Sequence, residues 1–250
     1  MFNQRFTTTL TSNTMKFFKG LLSVSVALLT GAFSAHGQFN ATVDTTTMTN
    51  GFGYFTNLDG SFSGLAQSWG VPALTGIPTS ATIAQMGATQ VDNGDSYWIV
   101  GGTGSTSDFP APGATYQSNK ISEATWYTEI GDGSLAGQSL TYSVNVTAFD
   151  LSSEYNAFLV IKESAKGYTP VTTAITGVGT FSVTEPAIAA GANFVQYGLM
   201  MVGPTVVPGD QFRNGSFTVT AVPEPSTWAL MGGLVTFLFV AVRRYRGRRA

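Results

Sequence analysis

From Gln138 to Asp150 apolar and polar side chains alternate: Leu140, Tyr142, Val144 and Val146 are separated by Thr141, Ser143, Asn145 and Thr147. A two-residue repeat puts one set on each face of an extended chain, the pattern of a half-buried antiparallel strand. Tyr155–Lys162 is apolar on both faces through Phe158, Leu159, Val160 and Ile161, as a central strand would be. Phe194–Val202, Phe212–Val222 and Thr180–Thr184 read as further strands, as do Phe52–Thr56, Ala81–Gln85, Ser96–Gly101 and Ala124–Ile130 upstream. Between them lie Leu58-Asp59-Gly60, Asp92-Asn93-Gly94, Gly101-Gly102-Thr103-Gly104, Gly131-Asp132-Gly133 and Pro208-Gly209-Asp210, turn residues that tolerate positive φ. No amphipathic helix of three turns and no fixed repeat interrupts them. Residues 38–221 are therefore expected to form an all-β domain, an antiparallel β-sandwich of jelly-roll or Greek-key type.

The ends of the chain have a different character. Met15-Lys16-Phe17-Phe18-Lys19 is a short basic segment leading into the apolar run Gly20–Phe33, and Ala35 and Gly37 are the small residues of a processing site. Residues 1–37 read as an extension plus a signal peptide, with translation starting at Met1 or at Met15 and cleavage after Gly37. No twin arginine precedes the run, which favours export through the Sec translocon; an uncleaved anchor is the alternative. At the other end, residues 222–250 combine a polar turn, an apolar segment at 228–242 and Arg243, Arg244, Arg246, Arg248 and Arg249. The apolar segment reads as a short transmembrane helix. At ~1.5 Å per residue it spans only ~22 Å, short of a ~30 Å hydrocarbon core unless Trp228 and snorkelling arginines extend it. The positive-inside rule keeps those arginines cytoplasmic and the body outside.

Charge follows the same division. Between Gln38 and Ala221 stand only four basic residues, Lys120, Lys162, Lys166 and Arg213, against 13 acidic ones, a formal charge of −9. An acidic body of this kind repels nucleic acid.

The chain has no cysteine, and its single histidine, His36, lies in the predicted signal. Thiolate, Ser-His-Asp and His-ligated zinc chemistry are thereby excluded from the mature body. Two carboxylate pairs remain for acid–base work, Asp150 with Glu154 and Glu123 with Glu129, and turn carboxylates suit those positions better. Gly101–Ser105 lacks the lysine of a phosphate-binding loop. Asp92, Asn93, Asp95 and Asp132 offer oxygens to calcium without the EF-hand spacing. The expectation is no cofactor and no catalysis.

Aromatic residues are the better lead. Trp69, Trp98, Trp126 and Tyr127 are candidates to stack on a sugar ring, because a flat apolar face beside amide and carboxylate groups suits a carbohydrate. Trp126 and Tyr127 are neighbours on a predicted strand, so one ring should lie in the core and the other outside.

The tail carries a resemblance. Val222-Pro223-Glu224-Pro225-Ser226-Thr227-Trp228, the apolar run and the terminal arginines resemble the PEP-CTERM sorting signal of Gram-negative bacteria, with Pro223, Glu224 and Pro225 as the recognition triplet. The resemblance implies processing by an exosortase, a membrane-embedded enzyme, after transient residence in the inner membrane. It also implies delivery to the cell surface or extracellular polysaccharide matrix. A permanent tail anchor is the alternative. The body is similar, at the level of pattern, to carbohydrate-binding β-sandwich modules over Ser139–Val146, Tyr155–Lys162 and Val195–Pro204. That likeness implies association with exopolysaccharide. A self-associating structural protein and a carboxylate-dependent glycosidase or lyase are the alternatives.

Overall fold

A computed structural model describes residues 37–70, 76–91, 95–103 and 117–222 of the chain. The expected signal peptide, the recognition triplet, the apolar segment 228–242 and its arginines lie outside the described residues. Among the described residues no helix is long and apolar enough to cross a membrane.

Among the described residues twelve strands form two sheets. They are β1 (Gln38–Ala41), β2 (Asn50–Asn57), β3 (Phe62–Trp69), β4 (Gly76–Ser80), β5 (Ile83–Met86), β6 (Lys120–Ile130), β7 (Ser139–Phe149), β8 (Asn156–Glu163), β9 (Val171–Ile175), β10 (Gly179–Glu185), β11 (Val195–Pro204) and β12 (Phe217–Ala221). The first sheet runs β1-β7-β12-β5-β4, with β10 on the other side of β7; the second runs β3-β2-β6-β11-β8-β9. Inward residues from both sheets meet in one core.

β7 carries out its alternation. Leu140, Tyr142, Val144 and Val146 are buried, while Thr141 and Ser143 face outward and pair their hydroxyls with Thr184 and Ser182 of β10 at 3.0 and 2.8 Å. In the second sheet β6, β11 and β8 are adjacent, and Val160, Met200 and Thr125 on the outer face are buried like the core residues opposite them. At Gly198 an added Cβ would come within 2.0 Å of the Trp126 carbonyl oxygen, so the close approach of β11 to β6 requires glycine there.

Three expectations are corrected. The sheets are not wholly antiparallel, because β1 runs parallel to β7 with Gln38 opposite Ser139 and Ala41 opposite Tyr142. Ser96–Gly101 is not a strand: Asp95 Oδ1 accepts from Tyr97 N at 2.7 Å, and Asp95 O accepts from Trp98 N and Ile99 N, which curls the segment into a turn. Phe212–Val222 forms a strand only from Phe217, since Arg213 N donates to Asp210 O and Gly215 sits at φ 90°.

Candidate functional site

On the inner face of β6 the side chains run Trp126, Ala124, Ser122, Lys120. The first two belong to the main core. Ser122 interrupts it, its Oγ 2.8 Å from Thr89 Oγ1, and a second buried hydroxyl pair joins Ser118 and Thr205 at 2.7 Å. Beyond this polar band lies a second, smaller apolar cluster of Phe55, Val91, Trp98, Ile99 and Val207, with Leu65, Trp69 and Tyr97 packed against it.

The second cluster is built on β2 and the outermost strand β3. The register places Gly51 between Trp126 and Trp69, and Gly53 between Ala124 and Gln67, so all of these share the inner face. With no side chain on Gly53, the Trp69 indole folds over it; an added Cβ would stand 2.9 Å from ring atoms of both Trp69 and Phe55. Phe55 meets Trp69 and Trp98 edge-on at 5.3 and 5.0 Å, and Trp98 meets Tyr97 at 4.6 Å and 86°. These tilted contacts suit ring quadrupoles and lock the rings against one another.

An open groove of about 510 Å³ lies along this cluster. Its walls are Leu65, Gln67 and Trp69 of β3 on one side and Asp95, Tyr97 and Trp98 on the other, with Ser63 at one end. Ser63 Oγ donates to Phe55 O at 2.7 Å and so accepts from the Tyr97 hydroxyl at 2.6 Å, which fixes the ring. Lys120, only 5% exposed, holds its ammonium 4.4 Å from the centre of the same ring, a cation–π contact. The groove therefore combines fixed aromatic walls with an amide, a hydroxyl and a carboxylate.

Of the four nominated aromatics, the structure brings Trp69 and Trp98 together here. Trp69 is half-buried, whereas Trp98 is 7% exposed and offers only part of its ring. Trp126 is a core residue, 2% exposed, with Nε1 donating to Met48 O at 2.5 Å, so it has no face free for a sugar. Tyr127 does point the other way, yet it too is 7% exposed rather than outside, and desolvation, with Glu129 adding to it, raises its hydroxyl pKa. The reason for both is the central place of β6, shielded on two faces.

The candidate carboxylates are mostly engaged in structural contacts. Asp150 Oδ1 accepts from Ser216 N at 2.6 Å, Glu123 pairs with Lys162 at 3.2 Å, and Glu129 Oε2 accepts from Gln196 Nε2 at 2.7 Å. Glu154 lines a separate cleft of about 450 Å³ with Asp210 and Arg213, the last two 3.4 Å apart. Of the calcium candidates, Asp92 and Asn93 lie outside the described residues. Asp132 caps Ser134 N at 3.0 Å, and its hydrogen bonds to Ser134 lower its pKa. Among the described residues no group of three potential metal ligands occurs.

Sequence reasoning did not single out Glu163 and Glu185, both buried, whose carboxylates converge on Lys166, the second at 3.1 Å. Glu163 closes the apolar run of β8, a position from which burial is legible, but Glu185, the second carboxylate on Lys166, lies in the other sheet. These contacts, Glu163 first and Glu185 second, raise the Lys166 pKa.

Comparison with known proteins bears on the tail. The PEP-CTERM protein-sorting motif matches residues 221–246, so the chain carries this sorting signal at the end of β12. The motif implies export, membrane-associated processing by an exosortase and passage toward the cell surface. No curated protein and no solved structure matches the chain.

Proposed function

We propose that this exported chain is a non-enzymatic surface or matrix protein whose β domain associates with exopolysaccharide through the groove between β3 and the 95–103 segment. The observation that carries the reading is the convergence of Trp69 and Trp98 on one open groove beside Gln67, Asp95 and Ser63. A sugar ring presents apolar C–H faces to indole and hydroxyls to amide and carboxylate groups, and the groove offers both. In this reading the domain is a jelly-roll or Greek-key sandwich, delivered by the N-terminal signal. Residues 228–242 hold it in the inner membrane with Arg243, Arg244, Arg246, Arg248 and Arg249 cytoplasmic until Pro223-Glu224-Pro225 is recognised. The test is affinity electrophoresis of the full chain in detergent through gels containing exopolysaccharide from an exosortase-bearing bacterium. Retarded wild type with an unretarded Trp69→Ala is expected; equal mobility with and without polysaccharide would end the proposal.

A second reading, self-association as a structural matrix protein, is favoured by β3 itself. The strand contains no charged residue or proline, Phe62 is 51% exposed, and among the described residues only β2 pairs with it. Uncharged edges of this kind pair with other chains. Sedimentation of the full chain distinguishes the two: a dimer broken by Ala66→Pro supports self-association, and a monomer at all concentrations removes it.

A further inference from the structure

The sheet and the sorting signal meet without slack. β12 is paired with β7 through Ala221, opposite Val144, and Ala221 N donates to Thr82 O at 3.0 Å. Val222 N then donates to Thr42 Oγ1 at 2.8 Å, and Pro223 follows at once. β1 and β12 lie along the same side of β7 and run toward each other, Ala41 reaching Tyr142 and Ala221 reaching Val144. Thr42, the first residue beyond β1, is thereby placed to grip the outgoing chain. The hold is firm upstream, because Phe217 and Val219 are fully buried in the core.

On the far side there is little length to spare. The six steps from Val222 to Trp228 span at most about 21 Å even when fully extended. An enzyme acting at the membrane surface on this stretch therefore meets a folded body one residue ahead of the triplet. Cleavage of a segment held in structure follows the population of its opened form.

We propose that Thr42 is a positioning residue for tail processing: it holds Val222 just past the end of β12, and the exosortase acts after Ala221 and Val222 leave Thr82 and Thr42. The body thus sets the pace at which its own anchor is removed. This rests on the sorting assignment, and the experiment separates the two. Full-length chains are expressed in a bacterium that processes another tailed substrate, and loss of the tail is followed by pulse-chase. The series is wild type, a six-residue Gly-Ser insertion between Val222 and Pro223, Thr42→Val and Thr42→Ser. The insertion, which lies outside the sheet, is expected to raise the rate about tenfold. Thr42→Val is expected to raise it about threefold, the factor set by one net hydrogen bond, and Thr42→Ser, which keeps the acceptor, to leave it unchanged. Urea midpoints of the inserted chain and wild type should coincide, which a merely destabilising effect would not give. Equal rates across the series overturn both the role of Thr42 and the pace set by the body, and leave the sorting assignment standing. Failure of every chain to lose its tail overturns the sorting assignment and the proposal with it.

Discussion

The two apolar clusters of this protein are made of similar residues and finished differently. The main core is closed by a sheet on each side, and Trp126, Tyr142, Phe217, Met48 and Leu140 are fully buried in it. The smaller cluster has the inner face of β2 and β3 on one side and, among the described residues, the turn at Asp95–Thr103 with Val91 and Val207 but no second sheet on the other, and Trp69 and Tyr97 stay partly exposed. The boundary is written along β6, where Ser122 follows Ala124 and hydrogen-bonded hydroxyls replace apolar contacts. A second sheet turns aromatic residues into structure; a turn leaves them available at the surface.

The largest test of this contrast is alkaline. Tyr142 is buried in the main core and its pKa is raised by desolvation, with Tyr197 adding to it; Tyr155 and Tyr197 are raised by the same cause. Unfolding releases these phenols to their ordinary value of ~10. A folded pKa above the unfolded one means that the stability is whole below pH ~10 and is lost as pH rises through the folded values. Lys166 shifts in the same direction and adds to the fall above pH ~10.5. Urea midpoints of the full chain in detergent should be level from pH 7 to about 9 and drop steeply by about pH 11. Tyr142→Phe should flatten that drop, and a level profile through pH 11 would contradict the burial of these phenols. Next in size is Leu140→Ala. It should cost about 2–5 kcal/mol by opening a cavity between the sheets, while polysaccharide retardation of the fraction that folds is unchanged.

The same contrast explains what was legible in the sequence. β7 and β8 were readable because burial on one or both faces imposes a pattern, and β6 and β11 share that property. β3 was not: Phe62-Ser63-Gly64-Leu65-Ala66-Gln67-Ser68-Trp69 is an exposed edge with Gly64 at φ 89°, so nothing forces alternation. β1 and β9 are short, and β4 carries Pro78 at a sheet edge, where its missing N–H is tolerated. Ser96–Gly101 failed for the opposite reason, since Tyr97-Trp98-Ile99-Val100 has strand composition while Asp95 bends the backbone. Residue type alone nominated Trp69 and Trp98. Their meeting needed the register of β2 with β3 and the curl of the turn. Trp126 and Tyr127 misled because alternation gives direction without saying whether the outer face is covered.

The remaining predictions act on the open cluster. Trp69→Ala should weaken polysaccharide binding at least about tenfold, given ~0.5–1.5 kcal/mol per aromatic contact beyond area and the loss of one groove wall. Its urea midpoint should fall less than that of Leu140→Ala, because the indole is only half-buried. A loss of stability equal to that of Leu140→Ala would mean that the groove is core after all.

Gly53→Ala is the smallest and sharpest change. The atoms nearest the new methyl belong to the smaller cluster: ring atoms of Phe55 at 2.9 Å and of Trp69 at 2.9 Å. Both rings must give way; Phe55 is fully buried and held between Trp69 and Trp98, so the freer Trp69 ring moves further. The expected outcome is a destabilisation of about 1–3 kcal/mol from the crowded contacts. Binding should weaken about threefold, as Trp69 is turned rather than removed, and tryptophan fluorescence should change because one indole alters its exposure. Unchanged binding with changed fluorescence would show that the orientation of Trp69 is irrelevant to the ligand, and the groove would then have to act through Gln67 and Asp95.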